Sequence, residues 1–170
     1  GQLVMDVVRK DLRPSKILTK EAFENAIVAV AGSGGSTNGV LHLLAIAKEA
    51  GIPLTIDEFD TIAAKTPIVV DIKPGGRYVA VDMYEAGGIG LVARELVGAG
   101  LVHEGQVGVD GKTLEEIGAE AVETAGQEVV VPWEQPLKPT GGIGILRGTL
   151  SPEGSVVKLS GHERLLHRGP

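Results

Sequence analysis

The sequence contains no cysteine. That excludes disulfides, thiol nucleophiles and cysteine-ligated iron–sulfur or zinc sites built within these residues. Positive charge is also sparse: 16 Lys and Arg lie scattered against 22 Asp and Glu, for a net charge of −6. No basic run offers the electrostatic footprint that nucleic acid requires. No apolar run reaches membrane-spanning length, and no basic-then-apolar leader opens the chain, so neither nucleic acid nor membrane is an expected partner and the cytoplasm is the expected location. What is present is 170 residues, 43% hydrophobic and 22% charged, enough for one compact soluble unit with a real core.

The organising stretch runs from Gly32 to Ala47. A glycine loop leads into Ser36, Thr37 and Asn38, which all cap helices well, and then into an apolar helical run that Gly51 can close. The expectation is a buried helix start whose unpaired N–H groups could meet a carboxylate or phosphate. A phosphate-binding P-loop is ruled out, because no lysine lies between Gly32 and Leu44. The dinucleotide fingerprint also fails, with Thr37 where its third glycine should stand. Asn38, His42 and Glu49 fall on one face of the helix, which makes Ser36, Thr37, Asn38 and His42 candidate substrate-binding residues. Helix capping, with His42 satisfied by a neighbouring carbonyl, is the competing reading.

Four blocks stand in order: Lys16–Asn25, the Gly34–Ala45 segment (Gly-Gly-Ser-Thr-Asn-Gly-Val-Leu-His-Leu-Leu-Ala), Asp71–Tyr78 with Asp82 and Ala86-Gly-Gly88, and Gly141–Gly154 with Val156–Lys158. Together they resemble the dihydroxy-acid/6-phosphogluconate dehydratase family. Gly75 replaces the family's usual serine. The wording around Gly34 and Gly141 is most similar to the branched-chain amino-acid branch.

The resemblance implies a hydro-lyase that removes water from a 2,3-dihydroxy carboxylic acid to give a 2-oxo acid. Members are several times longer. They hold an iron–sulfur cluster through cysteines, and Mg through ligands that include a modified lysine, all upstream of this region; a metal-binding glutamate and a serine base lie downstream. None of those motifs occurs here, and the chain opens on Gly1 without a methionine. The expected identity is therefore an internal piece with no catalytic or metal residue of its own, binding no cofactor, inert alone, and part of a homo-oligomer. Two alternatives stay open: a sugar-acid dehydratase such as one acting on 6-phosphogluconate, and a non-catalytic anion-binding or interaction module.

The expected fold is α/β: residues 1–136 form the second part of the family's α/β domain, and residues 137–170 the first hairpin of a β-rich domain. Gln2–Leu12 has helical spacing ended by Pro14, and Thr19 can cap a helix from Lys20 to about Ala31. The run Ala26–Ala31 could instead be a strand. A helix is expected from Asp57 to about Ala64, then a buried strand over Pro67–Ile72 that places Asp71 near its C-terminal end, where α/β sheets bind ligands. Lys73 and Arg77 in the following turn are possible anion partners, or solvated surface charges. Asp82 can cap a helix that Gly87-Gly88 breaks, and a further helix runs from Ile89 to Val97. Leu101–Val109 is strand-like, Thr113–Glu116 is a capping box whose helix should reach Thr124, and Glu128–Val131 reads as a strand. Trp133 is expected to pack a domain edge. Ile143–Leu150 and Ser155–Leu159 read as a hairpin joined by Ser151–Gly154. His103, His162 and His167 show no metal-ligand spacing and receive no role.

Overall fold

The computed structural model describes residues 1–159. His162 and His167 lie outside the described residues, as does the end of the expected C-terminal unit. Eight helices precede a two-stranded antiparallel sheet: α1 (Gln2–Arg9), α2 (Pro14–Ile17), α3 (Lys20–Gly32), α4 (Thr37–Glu49), α5 (Ile56–Ala63), α6 (Ala80–Ala86), α7 (Ile89–Gly98), α8 (Leu114–Glu120), β1 (Ile143–Gly148) and β2 (Ser151–Lys158). The class is the mixed α/β expected.

Helix α3 is the centre. Thr19 caps it, its hydroxyl accepting from Ala22 N at 3.0 Å. Ile27 and Val28 are both buried but point into different cores. Val28 joins Val69, Val70, Leu91, Val92, Leu96, Val129 and Val130. Ile27 joins Val40, Phe59 and Ile143. A helix packed on two sides needs apolar residues all round, which is why Ala26–Ala31 lacked a helical stripe.

Several boundaries differ from expectation. Helix α1 stops at Arg9, and Pro14, instead of merely ending it, occupies the first turn of α2, where its missing N–H costs nothing. Helix α5 begins one residue early because Thr55 and Glu58 form a capping box; the Thr55 amide donates to Glu58 Oε2 at 2.6 Å. Asp82 is the third residue of α6 and not its cap, reaching back to accept from Val79 N at 2.7 Å. Gly87 and Gly88 do separate α6 from α7.

Leu101–Val109 forms no strand. Side chains hold it instead: Asn25 donates to His103 O at 2.9 Å and accepts from His103 N at 2.7 Å, and Thr19 Oγ1 donates to Gln106 Oε1 at 2.6 Å. The His103 backbone groups are met this way, Gly105 N donates to Glu115 Oε1 at 2.8 Å and Gly108 N to Lys112 O at 2.9 Å, so these groups find partners outside a ladder. The Thr113–Glu116 box starts α8 as expected, but the helix ends at Glu120, after which Ala121 is extended. Residues 122–124 run beside the end of α6, with Thr124 N donating to Ala86 O at 3.0 Å.

The buried run Ile68–Asp71 makes isolated antiparallel bridges, Ile68 with Lys138 and Val70 with Val130, where full strands were expected. Trp133 is half-exposed and lies against Gly98 of α7. The hairpin forms, but its turn is Thr149-Leu150: Gly148 pairs with Ser151, so Ser151–Gly154 belongs to β2. An irregularity between Leu146 and Gly148 absorbs the extra residues.

Candidate functional site

The glycine turn is built by close approach of α4 to α3. Gly35 N donates to Val30 O at 2.8 Å, and a Cβ on Gly35 would stand 2.7 Å from that oxygen. No other residue fits there without displacing backbone. Ser36 then caps α4, its hydroxyl accepting from Asn38 N at 3.2 Å.

The buried helix expected from the apolar run is not what this chain forms. Val40 and Ala47 are buried, but Ser36, Asn38, His42 and Glu49 are exposed, as are Leu41 and Ile46. Only the face toward α3, α5 and β2 is covered. Asn38 and His42 share one outward face a helical turn apart, beside the open start of the helix.

The Asp71 turn is a second construction. Asp71 is buried and its amide donates to Val129 O at 2.8 Å. Its carboxylate accepts from Arg77 N at 3.0 Å and Arg77 Nε at 2.6 Å. Tyr78 N returns to Asp71 O at 3.0 Å, and Lys73 N donates to Tyr78 O at 2.7 Å, closing the turn. The Arg77 guanidinium also lies 3.6 Å from Glu128 and 4.9 Å from the centre of the Tyr78 ring. Its hydrogen bond to Asp71 raises its pKa further above the ordinary arginine value. Tyr78 donates to Glu128 Oε2 at 3.1 Å, and that bond raises the phenol's pKa. Arg77 is thus committed to Asp71, whereas Lys73 is exposed and makes no ion pair among the described residues.

A cavity of about 190 Å³ joins the two constructions. Ser33 and Gly34 come from the glycine turn, Asp71, Gly75 and Gly76 from the other, with Ile68, Val70 and Lys138 completing the wall. Ser36, Thr37, Asn38, His42, Lys73 and Arg77 do not line it. Ser33 and Lys138 are wall residues that sequence reasoning passed over. Ser33 adjoins the glycines already singled out, but nothing in the sequence around Lys138 signals its place.

No group of three His, Cys, Asp or Glu side chains gathers for a metal ion among the described residues. Without cysteine the chain has no thiolate to offer an iron–sulfur cluster. The described residues therefore fit neither group.

Comparison with known proteins places this architecture. The family model described as dihydroxy-acid/6-phosphogluconate dehydratase N-terminal matches residues 1–117, and its C-terminal counterpart matches residues 128–170. Proteins named dihydroxy-acid dehydratase align along the whole chain: that of Roseiflexus castenholzii is 58% identical, that of Koribacter versatilis 54%, and one from Thermus thermophilus 48%. The chain spans about 30% of the length of these relatives. With both models matched in order, the chain belongs to the dihydroxy-acid/6-phosphogluconate dehydratase family.

Proposed function

We propose that this chain works as part of a hydro-lyase that converts a 2,3-dihydroxy carboxylic acid to a 2-oxo acid, in branched-chain amino-acid biosynthesis. The observation that carries this reading is the alignment of all 170 residues with proteins named dihydroxy-acid dehydratase. In this role the chain supplies scaffold, and the start of α4 at Ser36, Thr37 and Asn38 meets the substrate, with His42 one turn behind. The metal, the iron–sulfur cluster and the base belong to other parts of the polypeptide. The enzyme is cytoplasmic and assembles as a homo-oligomer, and residues 137–170 open its β-rich domain. The 170-residue chain alone is inactive.

The test is formation of 2-oxo acid from a 2,3-dihydroxy acid, comparing this chain with the product of the reading frame that encodes it. We expect turnover from a longer product carrying cysteines and none from the 170 residues. Ser36→Ala and Asn38→Ala in the active protein should each lower kcat/KM roughly tenfold, the loss of one or two hydrogen bonds to a charged ligand. Robust turnover by the isolated chain would refute the reading.

A further inference from the structure

Asn38 is the one asparagine, and Asp110 the one aspartate, that directly precedes a glycine. In such a pair no side chain shields the glycine nitrogen, which can attack the preceding Cγ and close a five-membered succinimide. The structure holds the two pairs in opposite states. Asn38 is the second residue of α4, where Gly39 N donates to Ser36 O at 2.9 Å and Gly39 lies against Val30. Helical Cα–Cβ bonds tilt toward the helix N-terminus, which carries the Asn38 side chain away from Gly39 N. Attack there requires the first turn of α4 to unwind. Asp110 and Gly111 are both exposed, in a turn outside every helix and strand. Gly111 is left-handed at φ +83, with nothing within 4 Å of where a Cβ would stand. The Asp110 carboxyl folds back over the turn, Oδ1 accepting from Lys112 N at 3.1 Å. One turn bond, Gly111 N to Gly108 O at 3.0 Å, occupies the nucleophile, and an exposed bond of this kind opens at almost no cost.

We propose that Asp110 is the site of spontaneous isoaspartate formation in the folded chain, and so the residue that an isoaspartyl carboxyl methyltransferase would take as substrate. Gly111 N bonds to Asp110 Cγ, and the hydroxyl of the neutral acid leaves as water with the amide proton. Water then reopens the ring. Attack at the Cγ carbonyl restores aspartate; attack at the main-chain carbonyl leaves the backbone running through Cβ and Cγ, with the carboxylate now on Cα. No oxidant or further reactant enters, and the net mass is unchanged. The added backbone carbon falls between the segment 101–109 and the Thr113 capping box, at the turn where Gly108 N donates to Lys112 O at 2.9 Å. Isomerisation therefore loosens the join between that segment and α8. The site does not involve Ser36, Thr37 or Asn38 and does not rest on the dehydratase reading.

The test is ageing of the 170-residue chain at neutral pH, with and without guanidinium chloride, followed by methyl transfer from labelled S-adenosylmethionine by the methyltransferase. Tryptic cleavage after Arg94 and Lys112 isolates residues 95–112, in which Asp110 is the sole aspartate and no asparagine occurs. Label is expected in this peptide from the folded protein, and unfolding should change its rate of appearance by less than about threefold, since the turn opens readily without it. Deamidation at Asn38, read from fragment masses, should be slowed about tenfold or more by folding, because opening of the helix adds to the barrier. Asp110→Glu keeps the charge but would need a six-membered ring, so the label should disappear from residues 95–112. In aged protein the Gly108 amide should exchange with deuterium faster than in fresh protein. Absence of label from residues 95–112, label retained there by Asp110→Glu, or equal Asn38 rates in folded and unfolded protein would each overturn the assignment. Turnover by the isolated chain would sink the dehydratase reading without touching this one.

Discussion

Gly76 is the most constrained residue of the Asp71 turn. A methyl at this position would collide with Asp71 Oδ1 at 2.3 Å and with the Asp71 and Ile72 backbone at 2.5 and 2.7 Å. Gly76→Ala should therefore cost about 1–3 kcal/mol, read as a lower urea midpoint at unchanged slope, because relief must break the Asp71–Arg77 contacts or move the main chain. At this scale the sequence was partly legible. Asp71 stood out as a residue at the end of a buried run, but its tie to Arg77, six residues on, depends on a turn geometry that no spacing rule supplies. Asn25 was not legible as a structural residue. Its clamp on His103 crosses 78 positions, and a buried asparagine inside a helix gives no sign of a distant backbone partner.

Capping decides the elements. Burial pushes the Glu58 carboxyl up, but hydrogen bonds from Lys20, the Thr55 amide and the Thr55 hydroxyl, with the Lys20 charge, outweigh it and hold the pKa below the ordinary 4.5. Glu123 is lowered by hydrogen bonds from Gln127 and Arg94. A carboxyl with a depressed folded-state pKa stabilises the fold above its unfolded value, and that stabilisation is lost as pH falls through the folded value. The urea midpoint should thus fall below about pH 4.5, where these groups begin to bind protons on unfolding. Glu58→Gln should cost about 1 kcal/mol at pH 7, the size of a lost helix cap, and flatten that acid limb. Helix starts were the most legible feature, because Thr19 and Thr113 announce themselves by local chemistry. The segments around 68–71 and 101–109 were harder. One is held by isolated bridges and the other by side chains, and apolar patterning cannot tell either from a strand.

The whole molecule leaves apolar surface uncovered. Leu3, Val4 and Val8 on α1, Leu41 and Ile46 on α4, Tyr84 on α6 and Leu150 at the hairpin tip are all exposed. Such surface favours association, and the two-stranded sheet adds open edges. Light scattering across a concentration series should show the isolated chain self-associating, and Leu41→Glu with Ile46→Lys should reduce that without lowering the thermal midpoint by more than about 2 °C, since surface changes of this kind stay near 0.5 kcal/mol. The apolar run of α4 pointed correctly to a helix, but how much of it is covered depends on what packs outside, which local sequence does not encode.

The bridges between residues 68–71 and 129–138 have a practical consequence. Val131 N donates to Val69 O at 2.9 Å, Leu137 N to Ile68 O at 2.9 Å, and Gly141 N to Ala63 O at 2.8 Å, so the parts matched by the N-terminal and C-terminal family models interlock. The link between them crosses the exposed stretch 122–126. Severed there, the chain should behave as a split protein: residues 1–124 and 125–170, made separately and mixed, should copurify as one complementing pair, because continuity of the main chain at that point is not what joins them.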